Sequence, residues 1–94
     1  MFKILFHKAA QKDFKQIDPS SREFIRHSLQ EFAKNFCTEY ERQLLQKGKI
    51  KKLKGYAKPL YRLRLRSYRV IYKKEEERLV ILVLSVTTRE GAYR

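Results

Sequence analysis

Apolar and polar positions along this chain change period once, from helical to extended. Residues 2–6, FKILF, form a short apolar run broken only by Lys3, which suits a first strand. From His7 the spacing becomes helical. Ala10, Phe14 and Ile17 recur at i, i+4 and i+7 and give residues 7–17 one apolar stripe. Asp18 and Pro19 end that helix and open another, with Asp18 as N-cap and Pro19 at the first helical position, where no N–H is needed. Phe24, Ile25, Leu29, Phe32, Ala33 and Phe36 follow at helical spacing, so this second helix is expected to be the main core helix and to form an αα-hairpin with the first. Thr38, followed three residues later by Glu41, has the form of a capping box. It either starts a short third helix or extends the second, with Tyr40, Leu44 and Leu45 packing inward and Gly48 at the end.

Residues 47–58, KGKIKKLKGYAK, are basic, carry two glycines and precede Pro59, so they read as a connection. Beyond them residues 60–65, 68–73 and 79–86 have the patterns of three strands. The last, LVILVLSV, is apolar on both faces and is expected to lie centrally, covered on both sides. The solvated turn before it, KKEEER, carries no evident chemistry. The order β-α-α-β-β-β implies an α+β fold, with two N-terminal helices packed on a mostly antiparallel sheet of four to five strands.

Residues 60–72, LYRLRLRSYRVIY, alternate apolar and cationic positions. Tyr61, Leu63 and Leu65 share one side of an extended strand, and Arg62, Arg64 and Arg66 share the other. With Arg66-Ser67 as a two-residue loop, Leu65 faces Tyr68, Arg64 faces Arg69, Leu63 faces Val70 and Arg62 faces Ile71. Arg62, Arg64 and Arg69 then cluster on one side of the sheet. Arg64 opposite Arg69 is a destabilising like-charge pair. Two readings fit it: a solvated face with long arginines lying over it, or a face that holds an anion.

Composition sharpens this choice. The 94 residues make one small domain, and six Phe with six Tyr supply a core without staples. Twenty-three Lys and Arg against 10 Asp and Glu leave a net charge of +13, whose self-repulsion points to an anionic partner, nucleic acid above all. A single cysteine, Cys37, permits no intrachain disulfide and is read as a buried or half-buried filler. His7, His27 and Cys37 lack metal-ligand spacing, and His27 falls on the polar side of its helix, so no metal or cofactor is expected. No apolar run reaches membrane-spanning length and the N-terminus lacks a signal-peptide core, so no membrane association and a cytoplasmic location are expected. At the C-terminus, Arg89 and Tyr93 follow the last strand and can reach the rim of the arginine face, where a tyrosine suits stacking on a splayed RNA base.

KLKG at residues 52–55, YRLRLRSYRVIY at 61–72 and LVILVLSVTTRE at 79–90 with Tyr93 resemble the RelE/ParE superfamily of bacterial toxins. The AAQKDFKQI helix and the DPSSRE helix start resemble it too, so the likeness covers nearly the whole chain. The RelE branch is the more similar. It implies a metal-independent, ribosome-dependent mRNA endonuclease held inactive by an antitoxin. The substrate's own 2′-hydroxyl attacks, giving a 2′,3′-cyclic phosphate and a 5′-hydroxyl end. By this resemblance Arg62 and Arg64 occupy two cationic places on the first hairpin strand and Arg69 stabilises the phosphate. Arg89 matches the arginine proposed as general acid, and Tyr93 the tyrosine that orients the substrate. Lys52 and Lys54 match residues that contact RNA, with Arg66 counted among them. The implied partners are an acidic antitoxin, mRNA and the ribosomal RNA of the A site. The ParE branch, which poisons DNA gyrase, generally lacks this set. A plain basic RNA-binding domain is the remaining alternative.

The chain departs from that pattern where family members carry lysines in place of Arg62 and Arg64. A lysine can act as general base, whereas arginine stays protonated. Lys54, Glu90 or no base at all remain. The hairpin turn is also shorter by two residues, symmetrically, which keeps Arg64 opposite Arg69. The spacing from Arg89 to Tyr93 is shorter as well.

Overall fold

A computed structural model describes residues 1–55 and 57–88. Its elements are β1 (Lys3–Phe6), α1 (Lys8–Lys15), α2 (Pro19–Lys34), α3 (Thr38–Gln46), β2 (Ile50–Leu53), β3 (Leu60–Leu65), β4 (Tyr68–Glu75) and β5 (Val80–Thr88), with a single 3-10 turn at Glu76–Arg78. The strands form one five-stranded sheet in the order β1-β5-β4-β3-β2. β1 runs parallel to β5 and the other pairings are antiparallel. The α+β class and the mostly antiparallel sheet are those expected.

Period-two alternation divides the sheet into a helix side and an open side. Ile50, Tyr61, Leu63, Leu65, Val70, Tyr72, Ile81, Val83 and Val86 are buried in one cluster with Ala10, Ile25, Leu29, Phe32, Ala33 and Leu44 from the helices. α1 packs on β5 and β1, α2 on β1, and α3 on β2. Among the described residues no helix covers the other side. Val83 and Val86, three apart, both reach the core because the register shifts between Ile71 and Tyr72: Ile71 pairs with Ser85 but Tyr72 with Val83. The extra residue bulges β5 and re-aims its side chains. β5 lies inside the sheet as expected, although Leu82 and Leu84 stay half-buried rather than covered. Beyond Phe6, where β1 has ended, Asp13 of α1 accepts the Val86 N–H at 2.8 Å.

α2 begins as its sequence dictates. Asp18 accepts from the Ser21 N–H at 3.0 Å and the Ser20 hydroxyl at 2.7 Å, with Pro19 at the first helical position. These bonds, led by that of Ser20, lower the Asp18 pKa to about 2.

Local expectations fail where long-range contacts intervene. The first helix is shorter than residues 7–17: His7 is its N-cap and Ile17 lies beyond it, half-buried. Residues 47–58 are not a simple connection, because Ile50–Leu53 forms the edge strand β2. Two adjacent lysines hide it from a hydrophobic pattern, and edge strands favour lysine because it blocks further pairing. α3 is a separate helix capped by Cys37, whose sulfur accepts from the Tyr40 N–H at 3.5 Å, not by Thr38. Cys37 is exposed rather than filling the core. Leu45 is 37% exposed rather than packed inward. His27 is exposed, as expected.

Glu41 does not close a capping box but turns into the core, where it is 7% exposed. Tyr72 Oη donates to it at 3.1 Å and Lys74 Nζ at 2.9 Å, tying α3 to β4. Tyr72 stacks on Tyr61, ring centroids 5.4 Å apart, and Lys74 Nζ lies 4.9 Å from the Tyr61 ring. Burial, then the Glu41 charge, drives the Tyr72 phenol far above its ordinary range. For Lys74, burial works against the charge, but the bond to Glu41 and its charge outweigh this and raise the pKa.

Candidate nucleic-acid interface

The β3–β4 hairpin adopts the register its alternation demands. Leu65 faces Tyr68, Arg64 faces Arg69, Leu63 faces Val70 and Arg62 faces Ile71. Directly opposed residues share a face, so burial of Leu63 and Val70 sends Arg62, Arg64 and Arg69 to the open side. β5 extends this face, placing Thr87 beside Arg69 and Ser85 beside Ile71. β2 extends it the other way, placing Lys51 beside Arg62. Arg64 is exposed, and Arg62 and Arg69 are half-buried. Arg62 Nη2 donates to the Gly48 carbonyl at 3.0 Å, which fixes its guanidinium near the α3–β2 turn. Gly48 holds φ at 76° there, a left-handed conformation that glycine adopts without a Cβ penalty.

At the hairpin tip a hollow of about 350 Å³ is lined by Arg64, Arg66, Ser67, Tyr68 and Arg69. Arg66 takes the left-handed φ of 55° that the two-residue turn needs. Its guanidinium carbon lies 3.7 Å from the centroid of the Phe24 ring on α2, a cation–π contact that draws it toward the helix side. Far from these cations the open face turns apolar and mixed in charge. Leu5 pairs with Leu82 and Leu82 with Lys73, and Lys3 pairs with Val80 and Val80 with Glu75.

The structure thus gathers Arg62, Arg64 and Arg69 on one face, with Arg66 at its tip. It does not gather the lysines. Lys52 pairs with Tyr61 and so points to the helix side of the sheet. Lys54 is exposed beyond the end of β2. Arg89 and Tyr93 lie outside the described residues. β5 runs to Thr88, which pairs with Tyr68 at the tip of the hairpin. Lys51 was not singled out from the sequence, because its side of the sheet is defined only once β2 is recognised as a strand. A face with three arginines and an adjacent lysine can bind anions such as phosphates, through charge and the forked guanidinium donors.

The chain is similar to known proteins over almost its whole length. Residues 4–93 match the family model described as the ParE toxin of type II toxin–antitoxin system, parDE. A RelE1 protein of Methanocaldococcus jannaschii is 29% identical over 93 residues, spanning 99% of this chain and 96% of that one. The RelE chain of an archaeal RelE–RelB complex from Pyrococcus horikoshii OT3 superposes with a TM-score of 0.66, 27% identity and 94% of each chain covered. The intact E. coli RelBE toxin–antitoxin complex gives a TM-score of 0.67 and 26% identity, covering 94% of this chain and 96% of that one. With the family model spanning almost its whole length, this chain belongs to the ParE toxin family and is a RelE-like toxin of a type II toxin–antitoxin system.

Proposed function

We propose that the protein is an mRNA endonuclease that acts on the ribosome and uses the substrate 2′-hydroxyl as nucleophile. The observation that supports this best is the opposed pair Arg64 and Arg69 on the open side of the sheet. Two cations at directly opposed cross-strand positions repel one another, and the pentacoordinate phosphorane of the transition state is stabilised between them. In the reaction the 2′-oxygen bonds to phosphorus and the bond from phosphorus to the 5′-oxygen breaks. The 2′-hydroxyl loses its proton to solvent water and the leaving 5′-oxygen gains one from water, so no net proton is consumed. Arg69 and Arg64 stabilise the charge that builds on the non-bridging oxygens. Arg62, held by the Gly48 carbonyl, binds the adjoining backbone. Arg89 donates a hydrogen bond to the leaving 5′-oxygen and stabilises its charge, and Tyr93 stacks on the substrate base.

Arg62 and Arg64 do not take the 2′-hydroxyl proton, because guanidinium stays protonated. Alignment of the 2′-oxygen by the ribosome and charge stabilisation then carry most of the rate. An acidic antitoxin is the natural inhibitor of a chain of net charge +13, and both solved relatives described above are complexes of RelE with RelB.

Brief induction in cells, followed by primer extension, tests this. Codon-phased cuts are expected with the wild type. Arg69→Ala should lower cleavage by about 10²- to 10³-fold while the fold persists. Intact mRNA under toxic induction, or full cleavage by Arg69→Ala, refutes the reading. One observation favours a second reading, a gyrase-directed toxin: the matching family model is that of ParE. Loss of supercoiling activity with mRNA intact would select it.

A further inference from the structure

We propose that RNA leaves the arginine pair across the edge strand β2, with Lys51 as a phosphate contact on its path. The proposal rests on the RNA-cleaving function above and adds to it a direction and a residue. Register carries it. Lys51 pairs with Arg62, and Arg62 lies two residues along β3 from Arg64, which pairs with Arg69. These four cations form a diagonal stripe over β2, β3 and β4. Strands spaced about 4.8 Å apart make that stripe roughly 10 Å wide, enough to follow a backbone rather than one phosphate.

The opposite direction offers no such track. Toward β1 the same face presents Leu82 and Leu5, then Lys3 in a row with Val80 and Glu75. Lys73, beside Leu82, and Lys3 are single cations there, set apart by leucines that offer phosphate no donors, and Glu75 is paired with Arg78 at 2.8 Å. Lys52, the next residue after Lys51, faces the helix side beside Tyr61, because successive strand side chains alternate. Two neighbouring lysines of equal charge therefore differ only in face, which isolates geometry from net charge. Arg62 adds rigidity, since its bond to the Gly48 carbonyl holds the guanidinium at the β2 side of the stripe.

The test is fluorescence anisotropy of the full chain with a labelled single-stranded 2′-O-methyl RNA, which lacks the nucleophile and stays uncut. Lys51→Ala, Lys52→Ala, Lys3→Ala and Arg64→Ala are titrated across a salt series, with circular dichroism to verify the fold. All three lysines are exposed, so each variant is expected to fold. Lys51→Ala should weaken binding roughly two- to fivefold at low salt. It should also flatten the slope of log K against log salt by about 0.7, the loss of one phosphate contact on a single strand. Lys52→Ala should do clearly less, and Lys3→Ala should leave binding as in the wild type. Equal losses for Lys51→Ala and Lys52→Ala overturn the proposal, since charge alone would then explain binding. A larger loss for Lys3→Ala overturns it by routing RNA over β1. If Lys51→Ala binds like the wild type while Arg64→Ala is weakened, the path over β2 falls and the RNA-cleaving function stands. If the wild type shows no salt-dependent binding, the path over β2 falls, and codon-phased cleavage in cells decides the RNA-cleaving function separately.

Discussion

Replacing Glu41 by alanine should destabilise the protein more than any surface change, although its sequence context gives it the look of a capping residue. The carboxylate is 9% exposed and accepts from Lys74, whose side chain is 18% exposed, and from the buried Tyr72 hydroxyl. Breaking a fully buried ion pair costs about 3–5 kcal/mol, because the surviving charge is left uncompensated. Lys74 retains some compensation here. Glu76 lies 3.5 Å from its Nζ but is 72% exposed, and the Tyr61 ring lies on its other side. The expected loss is therefore at the lower end, about 3 kcal/mol. A domain of this size has roughly 5–14 kcal/mol in total, so the variant stays folded but loses a large share. At about 4–8 °C per kcal/mol, the melting temperature should fall by roughly 12–24 °C. Beside Glu41→Ala, urea unfolding of Glu41→Leu, Lys74→Met and the double variant Glu41→Leu/Lys74→Met measures the coupling. The double variant should recover the part of the loss that comes from the stranded ammonium, while the buried Tyr72 hydroxyl, left without its acceptor, still costs about 1–3 kcal/mol. The pH dependence has a definite sign. Because folding raises the Lys74 pKa above 10.5, the gap between wild type and Glu41→Ala is fully present below that pH. It should close as pH rises through the folded value. A loss under about 1 kcal/mol for Glu41→Ala, or a gap unchanged in alkali, would refute the reasoning.

Arg64→Ala should trade activity for stability. Relief of the like-charge pair with Arg69 should raise the urea midpoint by an amount worth about 0.2–1 kcal/mol, while RNA cleavage falls. A lowered midpoint would show that Arg64 supports the fold. Asp13→Ala leaves the Val86 N–H without its acceptor and should cost about 1.5–3 kcal/mol in the same assay, whereas a loss below about 0.5 would assign that amide another partner. Asp18, with its pKa lowered from 3.8 to about 2, stabilises the start of α2 above the unfolded value and ceases to as pH falls through 2. Acid titration of wild type against Asp18→Ala, followed by circular dichroism, should show two melting curves that converge only in that window.

The hairpin was legible because both of its determinants are local. Alternation in LYRLRL and YRVIY names the buried face, and the two-residue turn then sets every cross-strand partner, Arg64 against Arg69 included. The same holds for α2, whose cap at Asp18, proline at Pro19 and apolar stripe lie within a few turns of one another. β2 was not legible. Its residues IKKL lack alternation, and Ile50 is buried only because Leu63 lies opposite it and the helices cover both. Glu41 fits a capping box by spacing, but the side chain is drawn inward by Tyr72 and Lys74, more than thirty residues away. Cys37 then takes the capping position that Thr38 leaves.

By itself the sequence determined a strongly cationic α+β chain with its arginines on one face of a tight hairpin. Period and turn length act within a few residues and need no distant partner. Tertiary structure alone decided where that face ends. It added β2 to the edge, set Lys51 with the arginines and Lys52 against Tyr61, and drew Arg66 onto the Phe24 ring. Each of those placements depends on a contact whose partner is remote in sequence, and such a contact exists only after the core has closed.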